Sequence, residues 1–220
     1  MKRIGLFLIL LGGITLGWSG YSIMAQSESA DYEPEQTRQD HTGWDNQEKQ
    51  ASINLETNGD AVKVQKPQEK QKHTPKKEPE KAPDVGEKVG QLAIPRIGYQ
   101  YDIFWGTGED TLKQGVGLHD SKWTVTPDRQ GHVVLSGHRD TVFNKLRDVT
   151  EGDYLYVTYD GTVYEYQIRK IWITDRKDRS VIVSKNKPTL TLTTCYPFDF
   201  IGPAPDRYIV ESELVSKKEK

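Results

Sequence analysis

From about residue 89 onward, apolar and β-branched side chains recur at every second position, in short runs broken by Gly, Pro and Asp. A period of two buries one face of a strand and wets the other, so this part of the chain is confined to sheet. Residues 154–159 and 162–168 alternate in this way, and Asp160-Gly161 between them has the composition of a type I′ turn, so the pair reads as a hairpin. Residues 91–97 alternate around Pro95, which suits an edge or first strand because proline offers no amide hydrogen to a ladder. Residues 133–135, 171–173, 181–183, 189–194 and 207–210 supply further strands. Only residues 141–149 show helical spacing, with Val142, Phe143 and Leu146 on one side. Many short strands between turn signals, with one or two short helices, predict an all-β fold closed or nearly closed into a barrel.

Two different segments precede the strands. Lys2 and Arg3 stand before an uncharged stretch, residues 4–27, whose first part is strongly apolar. A helix of roughly 20 apolar residues spans a bilayer, and the stretch reaches that length when Tyr21, Ile23, Met24 and Ala25 are included. An uncleaved signal anchor, a transmembrane helix over residues 1–25, is expected; a cleaved signal peptide is the rival, though no clean Ala-x-Ala site follows. The basic residues before it and Glu28, Asp31, Glu33 and Glu35 after it predict a single pass of the cell membrane, N-terminus cytoplasmic and the remainder extracellular. Residues 26–88 are mostly Gln, Glu, Lys, Asp, Pro and Ser, with isolated apolar residues such as Trp44, Ile53 and Leu55. Lacking any hydrophobic period, they cannot offset their ordering entropy, and a disordered polar stalk is expected. The folded unit is then residues 89–215, large enough for one core, with a charged tail over 216–220. Removing residues 1–88 should leave it soluble. A net charge of −2 gives no reason to expect nucleic acid. Neither a CxxC pair nor a His-rich zinc spacing is present, so no metal site of that kind is expected.

Cys195 is the only cysteine. Outside a cell it has no partner in its own chain, which leaves a buried small residue, an intermolecular link or a reactive thiol. It closes the run Thr191-Leu192-Thr193-Thr194-Cys195, and Pro197 stops strand pairing just beyond it, where a barrel presents groups at its mouth. A neighbouring cation or base would raise its thiolate fraction. His138, between Gly137 and Arg139 at another strand end, is the candidate neighbour. Arg207 is placed to begin a strand beside that of Cys195, and its guanidinium donates two parallel hydrogen bonds. Nucleophile, proton carrier and oxyanion stabiliser are the parts that acyl transfer requires. Each also has a plainer reading, as a core cysteine, an ordinary histidine and a solvated strand-edge arginine. His119 and His132 lie in the same domain, and periodicity does not set them aside.

The order Ser136-Gly137-His138-Arg139, then Thr191 to Cys195, then Arg207 resembles the sortases, cysteine transpeptidases of Gram-positive surfaces. Their signatures are a small residue and Gly before His-Arg, a Thr-Leu-x-Thr-Cys strand, and an arginine about a dozen residues later. Residues 90–97 are similar to the opening strand of the family domain, and the wording from Cys195 to Phe198 and over 202–208 looks most like class D. The resemblance implies an eight-stranded sortase-type barrel with a groove for an LPxTG-type sorting motif on surface proteins. In it Cys195 attacks the Thr–Gly or Thr–Ala carbonyl, Arg207 holds substrate and oxyanion, and His138 protonates the departing amine. Thr193 and Thr194 would join Arg207 in binding substrate. A thioester forms and is resolved by an amine, from peptidoglycan precursor or, in pilus-building members, from a lysine of another subunit. Such acid–base pairing implies a bell-shaped pH dependence. No cofactor is implied; calcium assists some members, but no ligand cluster is evident among the acidic residues here. The loop holding Asp175-Arg176-Lys177-Asp178-Arg179 lies where the family keeps its substrate-specifying loop, and its charges read as a solvated turn.

Other wall-directed cysteine enzymes fit poorly. Papain-like hydrolases place the cysteine before the histidine, and L,D-transpeptidases place a histidine two residues before the cysteine. A non-catalytic anchored binding module on the same barrel, and a pilin-polymerising sortase, stay as alternatives.

Overall fold

The computed structural model describes residues 30–55, 82–199 and 202–219. The expected membrane anchor lies outside them; among the described residues no helix is long and apolar enough to cross a membrane. In chain order the elements are β1 (Ala30–Tyr32), α1 (Pro34–Asp40), β2 (Lys88–Ile94), β3 (Tyr99–Trp105), α2 (Glu109–Gln114), β4 (Val116–Leu118) and β5 (His132–Ser136). A 3-10 turn (Leu146–Asp148) precedes β6 (Tyr154–Tyr159), β7 (Thr162–Asp175), β8 (Thr189–Tyr196) and β9 (Asp206–Glu219). The strands neighbour one another in the order β3-β2-β6-β7-β9-β8-β5-β4, and β4 returns to pair with β3, which closes an eight-stranded barrel. The closing pair is parallel, Ile103 opposite Val116 through Trp105 opposite Leu118. The expected eight-stranded barrel with few helices is therefore what the chain forms.

Alternation explains the core. Leu92 and Ile94, Tyr101 and Ile103, Val133 and Leu135, Leu155 and Val157, Leu190 and Leu192 send one face of each strand inward. Burying such a side chain contributes roughly 1.5–3 kcal/mol. Asp160 and Gly161 take φ of 45° and 72°, the two left-handed conformations that a type I′ hairpin needs.

Several expectations are corrected. Residues 162–168 and 171–173 are one strand, β7, bulged between Ile168 and Lys170. Residues 181–183 are irregular rather than a strand, because they lie against the outer wall of the barrel instead of in its ladder. Residues 141–149 bury Val142, Phe143 and Leu146 as their spacing demands, but as turns with a single 3-10 turn. The supposed tail at 216–220 is strand through Glu219, since the long β7 supplies it with partners as far as Thr162. β3 is a strand the sequence reading omits, although Tyr101 and Ile103 alternate with Gln100 and Asp102.

The largest correction concerns the stalk. Residues 30–55 form an arm docked on the barrel; 56–81 lie outside the described residues. β1 pairs with β3, from Ala30 opposite Tyr101 to Tyr32 opposite Tyr99. Trp44 stacks beneath the guanidinium groups of Arg38 at 5.2 Å and Arg96 at 5.1 Å. Gln50 N donates to Gln167 Oε1 at 2.9 Å, and Ile53 N donates to Leu214 O at 2.9 Å. Ile53 and Leu55 pack on the core. Each isolated apolar residue borrows the barrel's surface, so no local period was needed. Truncation to residue 56 should therefore lower stability by about 2–4 kcal/mol relative to truncation at residue 30, from partial burial of Trp44, Ile53 and Leu55. Thermal unfolding of the two fragments checks this; equal midpoints would show that the arm contributes nothing.

Candidate active site

Leu190 and Leu192 of β8 point into the core, so Thr191, Thr193 and Cys195, of the other parity, face outward. Cys195 is a half-buried free thiol one residue before the strand ends. Directly opposite it on β9 is Arg207. Opposed residues of an antiparallel pair project to the same face with Cβ atoms about 4.5–5.5 Å apart. Thiol and guanidinium thus share the outer face of the wall, not the barrel's interior. Arg207 Nη1 donates to the carbonyl of Asp206 at 2.9 Å, and among the described residues it forms no salt bridge with a carboxylate.

His138 arrives from β5. The last rung of the parallel β5–β8 pair sets Ser136 opposite Thr193. Gly137 N then donates to Thr193 O at 3.2 Å, and Thr194 Oγ1 donates to Gly137 O at 2.7 Å. These bonds pin the residue before His138 to the residues before Cys195, bringing both to one end of the barrel. A Cβ on Gly137 would meet Phe143 Cδ2 and Val142 Cγ2, each at 2.7 Å. Glycine there is a steric requirement of the turn in which Phe143 N donates to His138 O at 2.9 Å. His138 is half-buried. Among the described residues no hydrogen bond joins the side chains of Cys195, His138 and Arg207.

Of the two threonines expected to bind substrate, Thr193 lies half-buried on the outer face beside Cys195. Thr194 does not fit that role. It is turned inward, buried, and its hydroxyl is engaged by Gly137; it is a brace for the histidine segment. The rival histidines stand elsewhere. His132 begins β5 and is buried with both ring nitrogens bonded. His119 lines a cavity of about 720 Å³ with Trp105, Leu118 and Tyr159, at the opposite mouth. Burial pushes the pKa of both below the ordinary histidine value.

Sequence reasoning gave Arg139 no role beyond its place in the run. It is buried, and its guanidinium donates to Pro197 O at 3.0 Å and Gly202 O at 2.9 Å. It thereby braces the connection between Cys195 and Arg207 from the histidine side. Within that connection Phe198 packs on Tyr208 at 5.1 Å and beneath Arg147 at 4.9 Å. Arg147 also holds Asp199 with two bonds of 2.9 Å. The charged run after β7 is a capped turn: Lys177 N donates to Asp175 Oδ1 at 2.7 Å and Ser180 N to Asp178 Oδ1 at 2.8 Å. Bonds from Ser180 and Thr174 hold the Asp178 carboxyl below its usual range. Arg176 N donates to Pro205 O at 3.0 Å, tying this turn to the site. Among the described residues no cluster of three or more His, Cys, Asp or Glu could hold a metal ion.

Comparison with known proteins identifies the family of this domain. The family profile described as "Sortase domain" matches residues 92–215. The chain is 41% identical over 134 residues to Sortase D of Bacillus subtilis (strain 168), covering 60% of this chain and 67% of that protein. It is 29% identical over 116 residues to Sortase A of Listeria monocytogenes, and spans about half of that protein's length, 51%. The solved catalytic domain of B. anthracis SrtD is 53% identical, with a TM-score of 0.56, covering 62% of this chain and 93% of that one. A Clostridium perfringens Sortase D5 transpeptidase gives 26% identity and a TM-score of 0.54, covering 60% and 82%. Because the match runs from β2 into β9, around the whole ring of strands, this chain belongs to the sortase family of cysteine transpeptidases and is similar to its Sortase D members.

Proposed function

We propose that the chain is a membrane-anchored sortase that cleaves an LPxTG-type motif after Thr and transfers the acyl group to an amine of the cell wall. The cross-strand pairing of Cys195 with Arg207 carries this reading: it sets a nucleophile and a fixed cation side by side on an open face. Cys195 Sγ adds to the threonine carbonyl carbon, and Arg207 donates hydrogen bonds to the oxygen that becomes negative. The C–N bond then breaks, His138 gives a proton to the leaving amine, and a thioester remains. An incoming amine attacks the thioester, returns a proton to His138, and displaces the thiolate as the new amide forms. Arg207 and Thr193 orient the peptide. Surface proteins with sorting signals are the donors and a peptidoglycan precursor the acceptor. The segment over 1–25 would anchor the enzyme with its barrel outside the cell.

Incubating the full chain with LPxTG and LPxTA peptides and measuring its intact mass tests the reading. The expected result is an acyl adduct on Cys195 that a peptide amine discharges. No adduct with either peptide, from protein whose thiol still alkylates, would overturn it. In the same assay Arg207→Lys should lose roughly 100-fold in kcat, since a point charge does not replace a planar fork aimed at the oxyanion.

A further inference from the structure

Behind the thiol, the outward lane of β8 is covered. Thr191 faces outward, as does His132 on β5, yet both are 0% exposed. The connection between β7 and β8 lies over them. His132 Nδ1 sits 2.7 Å from Val183 O, and Nε2 sits 2.7 Å from Thr191 Oγ1. A carbonyl can only accept, so Nδ1 carries the hydrogen; the neutral ring then accepts the Thr191 hydroxyl at Nε2. Burial favours that neutral ring. Lys185 of the same connection pairs with Glu211 of β9, which stands opposite Thr191. Three strands and the connection therefore meet at one threonine. Further along the lane, Thr193 and Cys195 are half-buried, so the cover ends between Thr191 and Thr193. At about 3.3 Å per residue, that edge lies roughly 13 Å or less from Cys195, within four residues of an extended peptide whose reacting carbonyl is at the thiol.

We propose that His132 is a positioning residue for transpeptidation: by clamping the Val183 carbonyl to Thr191 it fixes the edge of the β7–β8 connection against which the peptide is seated. It rests on the function proposed above, and it touches no reacting atom. The defect expected from loosening it is in binding rather than chemistry.

The test uses the full chain, with KM and kcat for an LPxTG peptide and the alkylation rate of Cys195 by iodoacetamide. Thr191→Val keeps shape and removes the hydroxyl; His132→Phe removes both nitrogens. Each should raise KM about tenfold, as loss of a buried hydrogen bond does, with kcat and alkylation within about twofold. His132→Asn keeps a donor near the Nδ1 position and should recover KM to within about threefold. Amide hydrogen exchange over 181–187 should quicken in His132→Phe and not in His132→Asn. Wild-type turnover with both removal variants unchanged in KM would overturn the clamp alone. So would a fall in kcat matched by slower alkylation, which would place the ring's effect on the nucleophile. If His132→Phe does not fold, Thr191→Val decides. A wild-type chain that forms no thioester at all would instead refute the functional reading beneath it.

Discussion

Cys195→Ala should yield a folded barrel with no measurable transpeptidation. The side chain lies on the outer face at the end of β8 and belongs to neither hydrophobic cluster. Removing its sulfur therefore opens no core cavity, and thermal unfolding should stay close to wild type. Chemistry should suffer far more. Deleting the nucleophile of a covalent mechanism costs on the order of 10⁶-fold in kcat in well-studied hydrolases. No other thiol exists in the chain to substitute. Peptide cleavage followed by chromatography, with circular dichroism for the fold, checks both halves. Turnover above about a hundredth of wild type would mean that another residue attacks the carbonyl. An unfolded variant would mean that Cys195 is structural.

Replacing Arg96 by leucine should be strongly destabilising. Asp153 is fully buried at the start of β6. It accepts from Arg96 Nε at 2.9 Å and Nη2 at 2.5 Å, from Thr150 N at 2.8 Å, and from Gln47 Nε2 at 3.3 Å. The carboxylate in turn raises the pKa of Arg96, chiefly through these hydrogen bonds. Removing one partner of a buried pair leaves an uncompensated charge and costs about 3–5 kcal/mol. Arg96→Leu also withdraws the cation above Trp44, loosening the arm. Chemical denaturation gives the number. Combining it with Asp153→Asn should recover most of the loss, because the stranded charge is then absent. A single-variant cost below about 1 kcal/mol would show that water already solvates Asp153.

The Arg96–Asp153 pair shows where sequence reading stops. Arg96 falls in a run recognised for its alternation around Pro95, and nothing in that run names a partner beyond the next several elements. The hairpin at Asp160-Gly161 was legible because a turn type and a period of two are properties of adjacent residues. The motif residues are legible as chemistry, and their order by itself points to the family. Their neighbourhood was not. Three histidines were available, and only the bonds from Gly137 to Thr193 and Thr194 bring one of them to Cys195. Thr193 and Thr194 look alike in the run, yet strand parity gives one to the outer face beside Cys195 and the other to the interior.

The alternation of the strands, the β6–β7 turn and the motif residues were thus written in the chain itself, since each depends on residues close together or on side-chain type alone. The neighbour order of the strands around the barrel, the placement of His138 rather than His119 or His132 at the end that carries Cys195, the docking of residues 30–55 and the cover over Thr191 were decided in three dimensions. Each of these joins segments far apart in sequence, and the energy that selects them exists only once the barrel wall is there to be packed against.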